Sequence, residues 1–119
     1  MRRGDWLIFA TMVLVTPGCG SDPDSRDTGS TLCDTVTFDT SWLNTGRPFF
    51  RTYCTSCHAE DATERFGAPE GVDFDSEQDV QDYEERIYIR VLDEGTMPLG
   101  GGIPEEDLEL LEIYLECGL

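Results

Sequence analysis

The chain has 119 residues, enough for one small domain, and a formal net charge of -17 from 8 basic and 25 acidic residues. Every basic residue is arginine; lysine is absent. A chain this acidic excludes binding to nucleic acid through a basic patch, and its 39% hydrophobic content leaves a thin core that a large apolar group would help to fill.

The first 18 residues read as a signal peptide. Arg2 and Arg3 precede a short apolar run, Trp6 to Val15, which is too short to span a bilayer comfortably. Thr16-Pro17-Gly18-Cys19 then resembles a bacterial lipoprotein box. Thr16 stands where such boxes usually carry leucine. Lipidation of Cys19 is the expected outcome, with ordinary cleavage near Gly18 as the alternative. The product would be exported and held on the periplasmic side of a bacterial membrane by an N-terminal lipid, or be soluble in the periplasm. Residues 19–31 hold no large apolar residue and read as a flexible tether.

The folded domain is expected over residues 32–119. Val36 and Phe38 alternate, which predicts an extended lead-in. Trp42 reads as a packing residue. From Gly46 onward, Phe50, Tyr53, Cys54 and Cys57 recur at helical spacing, with Pro48 suited to a first turn. One helix is therefore predicted from Gly46 into Cys54-Thr55-Ser56-Cys57-His58.

That pentapeptide is the sequence form of covalent c-type haem attachment. Each thiol can add across one vinyl group, and the two-residue gap lets one turn of backbone reach both. His58 can then offer an imidazole nitrogen to the iron. The same residues also admit a redox dithiol or half of a zinc site.

Residues 59–75 read as loop, with a turn cluster at Gly67-Ala68-Pro69-Glu70-Gly71. Ser76-Glu77-Gln78-Asp79 predicts a capping box that opens a second helix with Val80, Tyr83, Ile87 and Val91 on its apolar face, ending at Gly95. Arg86 and Arg90 on this helix could reach haem propionates or pair with neighbouring carboxylates. Thr96-Met97-Pro98 opens a glycine-rich loop. A methionine there is not where core packing would put one, and its thioether is a soft ligand for haem iron. His58 is the chain's one histidine, and after cleavage Met97 is its one methionine. Pro104 starts the last helix, Glu105, Glu106 and Asp107 suit its positive end, and Leu108, Leu111 and Leu115, with Leu110 and Tyr114, are expected to form its apolar face.

Of the five cysteines, Cys33 and Cys117 remain after Cys19, Cys54 and Cys57 are assigned. In an oxidising compartment they are expected to pair. The rival is a four-cysteine zinc site built from Cys33, Cys54, Cys57 and Cys117, which leaves His58 and Met97 without a role. A thioredoxin-like site lacks its surrounding βαβ pattern.

Over residues 32–119 the chain resembles the small class I c-type cytochromes, and within them bacterial lipid-anchored monohaem forms. The motif Cys54 to His58, the loop Thr96-Met97-Pro98, Gly46 and Phe50 ahead of Cys54, and the pair Leu111 and Tyr114 carry the resemblance. It implies an all-α, cytochrome c-like fold of three main helices around one haem c. His58 and Met97 would be the axial ligands. Gly46 and Phe50 would meet Leu111 and Tyr114 where the terminal helices cross, and the Pro69 carbonyl would accept a hydrogen bond from His58. The implied function is one-electron transfer with no chemistry on a substrate. An open-site haem protein, such as a peroxidase or gas sensor, and a zinc-stabilised binding module are the alternatives. Relatives that dock through a ring of lysines give no guide here, since this chain has none. Its acidity points instead to redox partners with a basic face.

Overall fold

The computed structural model describes residues 32–119, which are helical, with no strand among them. The signal peptide, Cys19 and the tether lie outside the described residues. The chain enters through a short helical turn at Leu32 and Cys33, then runs irregularly. Val36 and Phe38 do not form a strand; Val36 is half-buried and Phe38 exposed. No neighbouring strand offers their backbone a ladder, so alternation alone decides nothing.

Helical coiling begins before Gly46. Trp42–Gly46 makes a π-helical segment that passes directly into helix α1, Arg47–Tyr53. Asp39 fixes the entry, accepting from the Ser41 backbone N–H (2.9 Å) and from the Asn44 side chain (2.6 Å). Pro48 sits in the first turn of α1, where a missing N–H costs nothing. The helix stops at Tyr53, so the segment Cys54-Thr55-Ser56-Cys57-His58 follows it rather than riding on it.

Ser76 opens α2, Glu77–Asp82, through a reciprocal capping box with Asp79. The single helix expected from here to Gly95 is interrupted at Tyr83, whose backbone leaves the helical region (φ -117°, ψ 11°). Tyr83 sets its ring edge-on to Phe74 at 6.1 Å and donates its hydroxyl to the Gly71 carbonyl at 3.1 Å. These tertiary contacts accompany the break that periodicity did not signal. Helix α3, Glu84–Ile87, resumes and widens into a second π-helical segment, Tyr88–Asp93. Gly95 then turns the chain in the left-handed region (φ +59°), which favours glycine.

Helix α4, Glu105–Cys117, closes the domain by packing on both π-helical segments. Two tyrosines fasten it. Tyr53 donates to the Asp107 carboxylate, and Tyr88 donates to Glu112 Oε1 at 3.2 Å. Phe49, Phe50, Phe74, Val80, Ile87, Val91, Leu111, Tyr114 and Leu115 form one buried cluster shared by every helix. Trp42 packs against both Phe50 and Tyr114, at ring separations of 6.0 and 6.3 Å. It is a packing residue, as its setting in the sequence implies.

The ends of the domain are joined. Cys33 and Cys117 form a disulfide, with Cα atoms 5.4 Å apart across a sequence separation of 84. Closing a loop of that length removes denatured-state entropy equivalent to about 4–5 kcal/mol as an upper figure. Reduction, or Cys33→Ala with Cys117→Ala, is expected to lower the unfolding free energy, measured by urea titration, by an amount approaching that value. An unchanged midpoint would show that the bridge constrains nothing the fold does not already fix.

Candidate functional site

Helix α1 delivers the chain to the site. Cys54 is its C-terminal cap, and the Cys54 carbonyl accepts from the backbone N–H groups of both Cys57 (3.1 Å) and His58 (2.9 Å). The two thiols and the imidazole thus share one tight turn instead of a helical face. Both thiols are free and half-buried. Burial, with a smaller contribution from the neighbouring Cys57 thiol, pushes the Cys54 thiol up to about 12. A reactive thiolate needs the opposite shift, so this environment is poorly suited to dithiol redox exchange.

His58 is held at three points. Its carbonyl accepts from Phe74 N–H at 2.9 Å, its ring lies over Phe74 at 5.0 Å, and its Nδ1 is 2.8 Å from the Val72 carbonyl oxygen. A carbonyl can only accept, so in that bond Nδ1 carries the proton. In the neutral ring that bond leaves the lone pair on Nε2, the tautomer a metal-bound histidine requires. The acceptor is Val72 and not Pro69. The Pro69 carbonyl is already taken by Arg65 Nη2 at 2.7 Å and by the Val72 N–H at 3.3 Å. The chain turns from Pro69 to Val72, and the carbonyl three residues past Pro69 is the one that meets the imidazole.

Arg65 is the residue that sequence reading missed. It is the one basic residue in the loop 59–75. Its guanidinium donates to the carbonyls of Ala59 (2.7 Å), Ala68 (3.3 Å), Pro69 (2.7 Å) and Val72 (3.3 Å) and pairs with Asp73 at 2.7 Å. The loop is folded around this side chain. An isolated arginine among turn residues is the only signal, since main-chain acceptors leave no trace in sequence.

Met97 is half-buried against the core cluster that Phe74 belongs to, and Cys54 packs on that same cluster. The backbone N–H groups of Thr96 and Met97 both reach the Arg90 carbonyl, at 2.9 and 3.0 Å. The backbone at the candidate thioether is therefore anchored to the middle of the second π-helical segment. Leu99, two residues on, is exposed.

Gly46 and Phe50 meet Leu111 and Tyr114. Gly46, Phe50, Leu111 and Tyr114 are buried, and a Cβ on Gly46 would fall 2.5 Å from Tyr114 Cζ. Burial pushes the Tyr114 hydroxyl ionisation upward, and that hydroxyl has no hydrogen-bond partner among the described residues. The two arginines on the second helical stretch are not gathered at a site. Arg90 pairs with Glu94 at 3.0 Å, one helical turn on, and Arg86 is exposed.

The disulfide leaves the four-cysteine zinc arrangement two thiols short. Among the described residues no group of three or more His, Cys, Asp or Glu side chains is placed to hold a metal ion. Among those residues, too, no helix is long and apolar enough to cross a membrane. No protein-family model, no curated protein and no solved structure matches the chain.

Proposed function

We propose that the domain is a one-electron carrier of the class I c-type cytochrome kind, with haem c joined to Cys54 and Cys57 and ligated by His58 and Met97. The observation that carries this reading is the set state of His58. Directly after two free thiols, its Nδ1–H is committed to the Val72 carbonyl, which makes Nε2 the nitrogen that the neutral ring can offer to a metal. The donor set fits haem: two thiols for the vinyl groups, one imidazole nitrogen and one thioether, with Cys54 and Met97 packed on one apolar cluster and His58 against its Phe74.

Bound there, haem would supply a one-electron couple; the chain's own part is to hold and tune it. Val72 and Phe74 orient the imidazole. The Arg90 carbonyl fixes the backbone beside Met97. Phe50, Phe74, Leu111 and Leu115 provide an apolar interior. The lipid at Cys19 would hold the domain on the exported side of a membrane, with residues 20–31 as a tether. The acidic surface favours redox partners with a basic face.

Metal analysis and a visible spectrum test this reading. The chain made in a host that attaches haem to CxxCH motifs is expected to carry iron, one atom per chain, with the split visible bands of low-spin ferrous haem. Zinc without iron, or a colourless chain, would contradict it.

A further inference from the structure

The Val72 carbonyl receives two donors. His58 Nδ1 lies 2.8 Å from it and Arg65 Nη2 lies 3.3 Å from it. A carbonyl oxygen has two lone pairs and can serve both, but a charged donor on one draws electron density from the other. The guanidinium is matched in turn by the Asp73 carboxylate at 2.7 Å. The side chains of this pair are only 18% and 19% exposed, so water screens their charges less than at the surface. The result is a short chain of polar contacts, Asp73 to Arg65 to the Val72 carbonyl to His58.

We propose that Arg65 and Asp73 are positioning residues that set, through the shared Val72 carbonyl, how strongly His58 donates to iron; this rests on the haem reading above. Arg65 weakens the carbonyl as an acceptor, so the imidazole Nδ1–H is shared less and the ring gives less charge through Nε2. Less donation favours the ferrous state and raises the potential. Asp73 opposes that effect by partly neutralising Arg65. The two residues therefore pull in opposite directions, although both hold the same loop.

That opposition separates tuning from mere support. Arg65→Gln removes the charge and is expected to lower the reduction potential, by about tenfold in the reduction equilibrium, the low end for outer partners of metal-bound histidines. Asp73→Asn leaves Arg65 uncompensated and is expected to raise it. His58 is the chain's one histidine, so ring 15N labelling gives a single set of signals. In the ferrous protein its Nδ1–H proton should move to lower field in Arg65→Gln, as the bond strengthens, and to higher field in Asp73→Asn. A loop that simply loosens would weaken the bond in both variants and move both potentials the same way; that result overturns the proposal. A full chain that carries no haem sinks the electron-carrier reading instead. The coupling through the Val72 carbonyl is then read on its own from the same Nδ1–H signal in the haem-free chain, where an unchanged resonance in Arg65→Gln overturns it and a low-field shift shows the polar chain acting on His58 without iron.

Discussion

Gly46→Ala is expected to destabilise the domain by about 3 kcal/mol, at the upper end of ordinary overpacking. The added methyl group would lie 2.5 Å from Tyr114 Cζ, 2.7 Å from Trp42 Cε3 and 2.7 Å from Tyr114 Cε2. None of these atoms is the free end of a flexible chain. Tyr114 is fully buried against Phe50, and Trp42 packs against both rings. Helix propensity points the other way, since alanine is favoured over glycine by about 1 kcal/mol in a helix. The sign of the change thus decides between local preference and packing, and steric contact is expected to win. A domain with a total stability of about 5–15 kcal/mol would feel such a loss plainly. Urea unfolding provides the measurement, with Gly100→Ala as control, because a Cβ at Gly100 meets nothing within 4 Å. A Gly46→Ala midpoint at or above that of the parent would contradict the crossing described here.

Met97→Ala should produce the largest change at the proposed haem. No second histidine, no lysine and, after cleavage, no second methionine is available to replace the lost ligand. The variant is expected to lose the weak charge-transfer band at the near-infrared edge that marks sulfur on ferric haem. Its potential should fall by roughly 0.1 V, a modest part of the ~0.8 V that axial ligands span. Cyanide and carbon monoxide should then bind readily. Leu99→Ala, at an exposed position in the same loop, should leave all three properties unchanged. If Met97→Ala behaves like Leu99→Ala, the iron has another sixth ligand or an open position, and an open-site haem protein becomes the better reading.

How much of this could be read in sequence depends on how local each interaction is. The Ser76–Asp79 capping box is legible because its partners lie three residues apart and use side chains. The apolar face of α4 is legible for the same reason, since Leu111 and Leu115 fall one turn apart and both are buried. Cys33 and Cys117 could be paired across the whole domain only because the other cysteines had assignments. The break at Tyr83 could not be read, because the contacts that accompany it, a hydrogen bond to the Gly71 carbonyl and a ring contact with Phe74, lie outside its own helix. The end of α1 at Tyr53 was missed because Cys54 and Cys57 keep helical spacing while the chain around them forms a turn. At the site, residue types that carry chemistry were visible, whereas the shell that orients them was not. His58 stood out, but its partner is a main-chain carbonyl, and any residue can supply one. Which carbonyl faces the imidazole depends on the loop path, and Arg65 sets that path through bonds to four carbonyls.

The central claim is the covalent attachment of haem at Cys54 and Cys57. Intact-mass measurement of the purified chain, denatured and without reductant, tests it most directly. The expected mass is that of the processed polypeptide, with the Cys19 lipid where it is attached, plus one haem, with the colour remaining on the protein and no titratable thiol at either position. A bare polypeptide mass with two free thiols at Cys54 and Cys57, from a host that matures other CxxCH proteins, would contradict it.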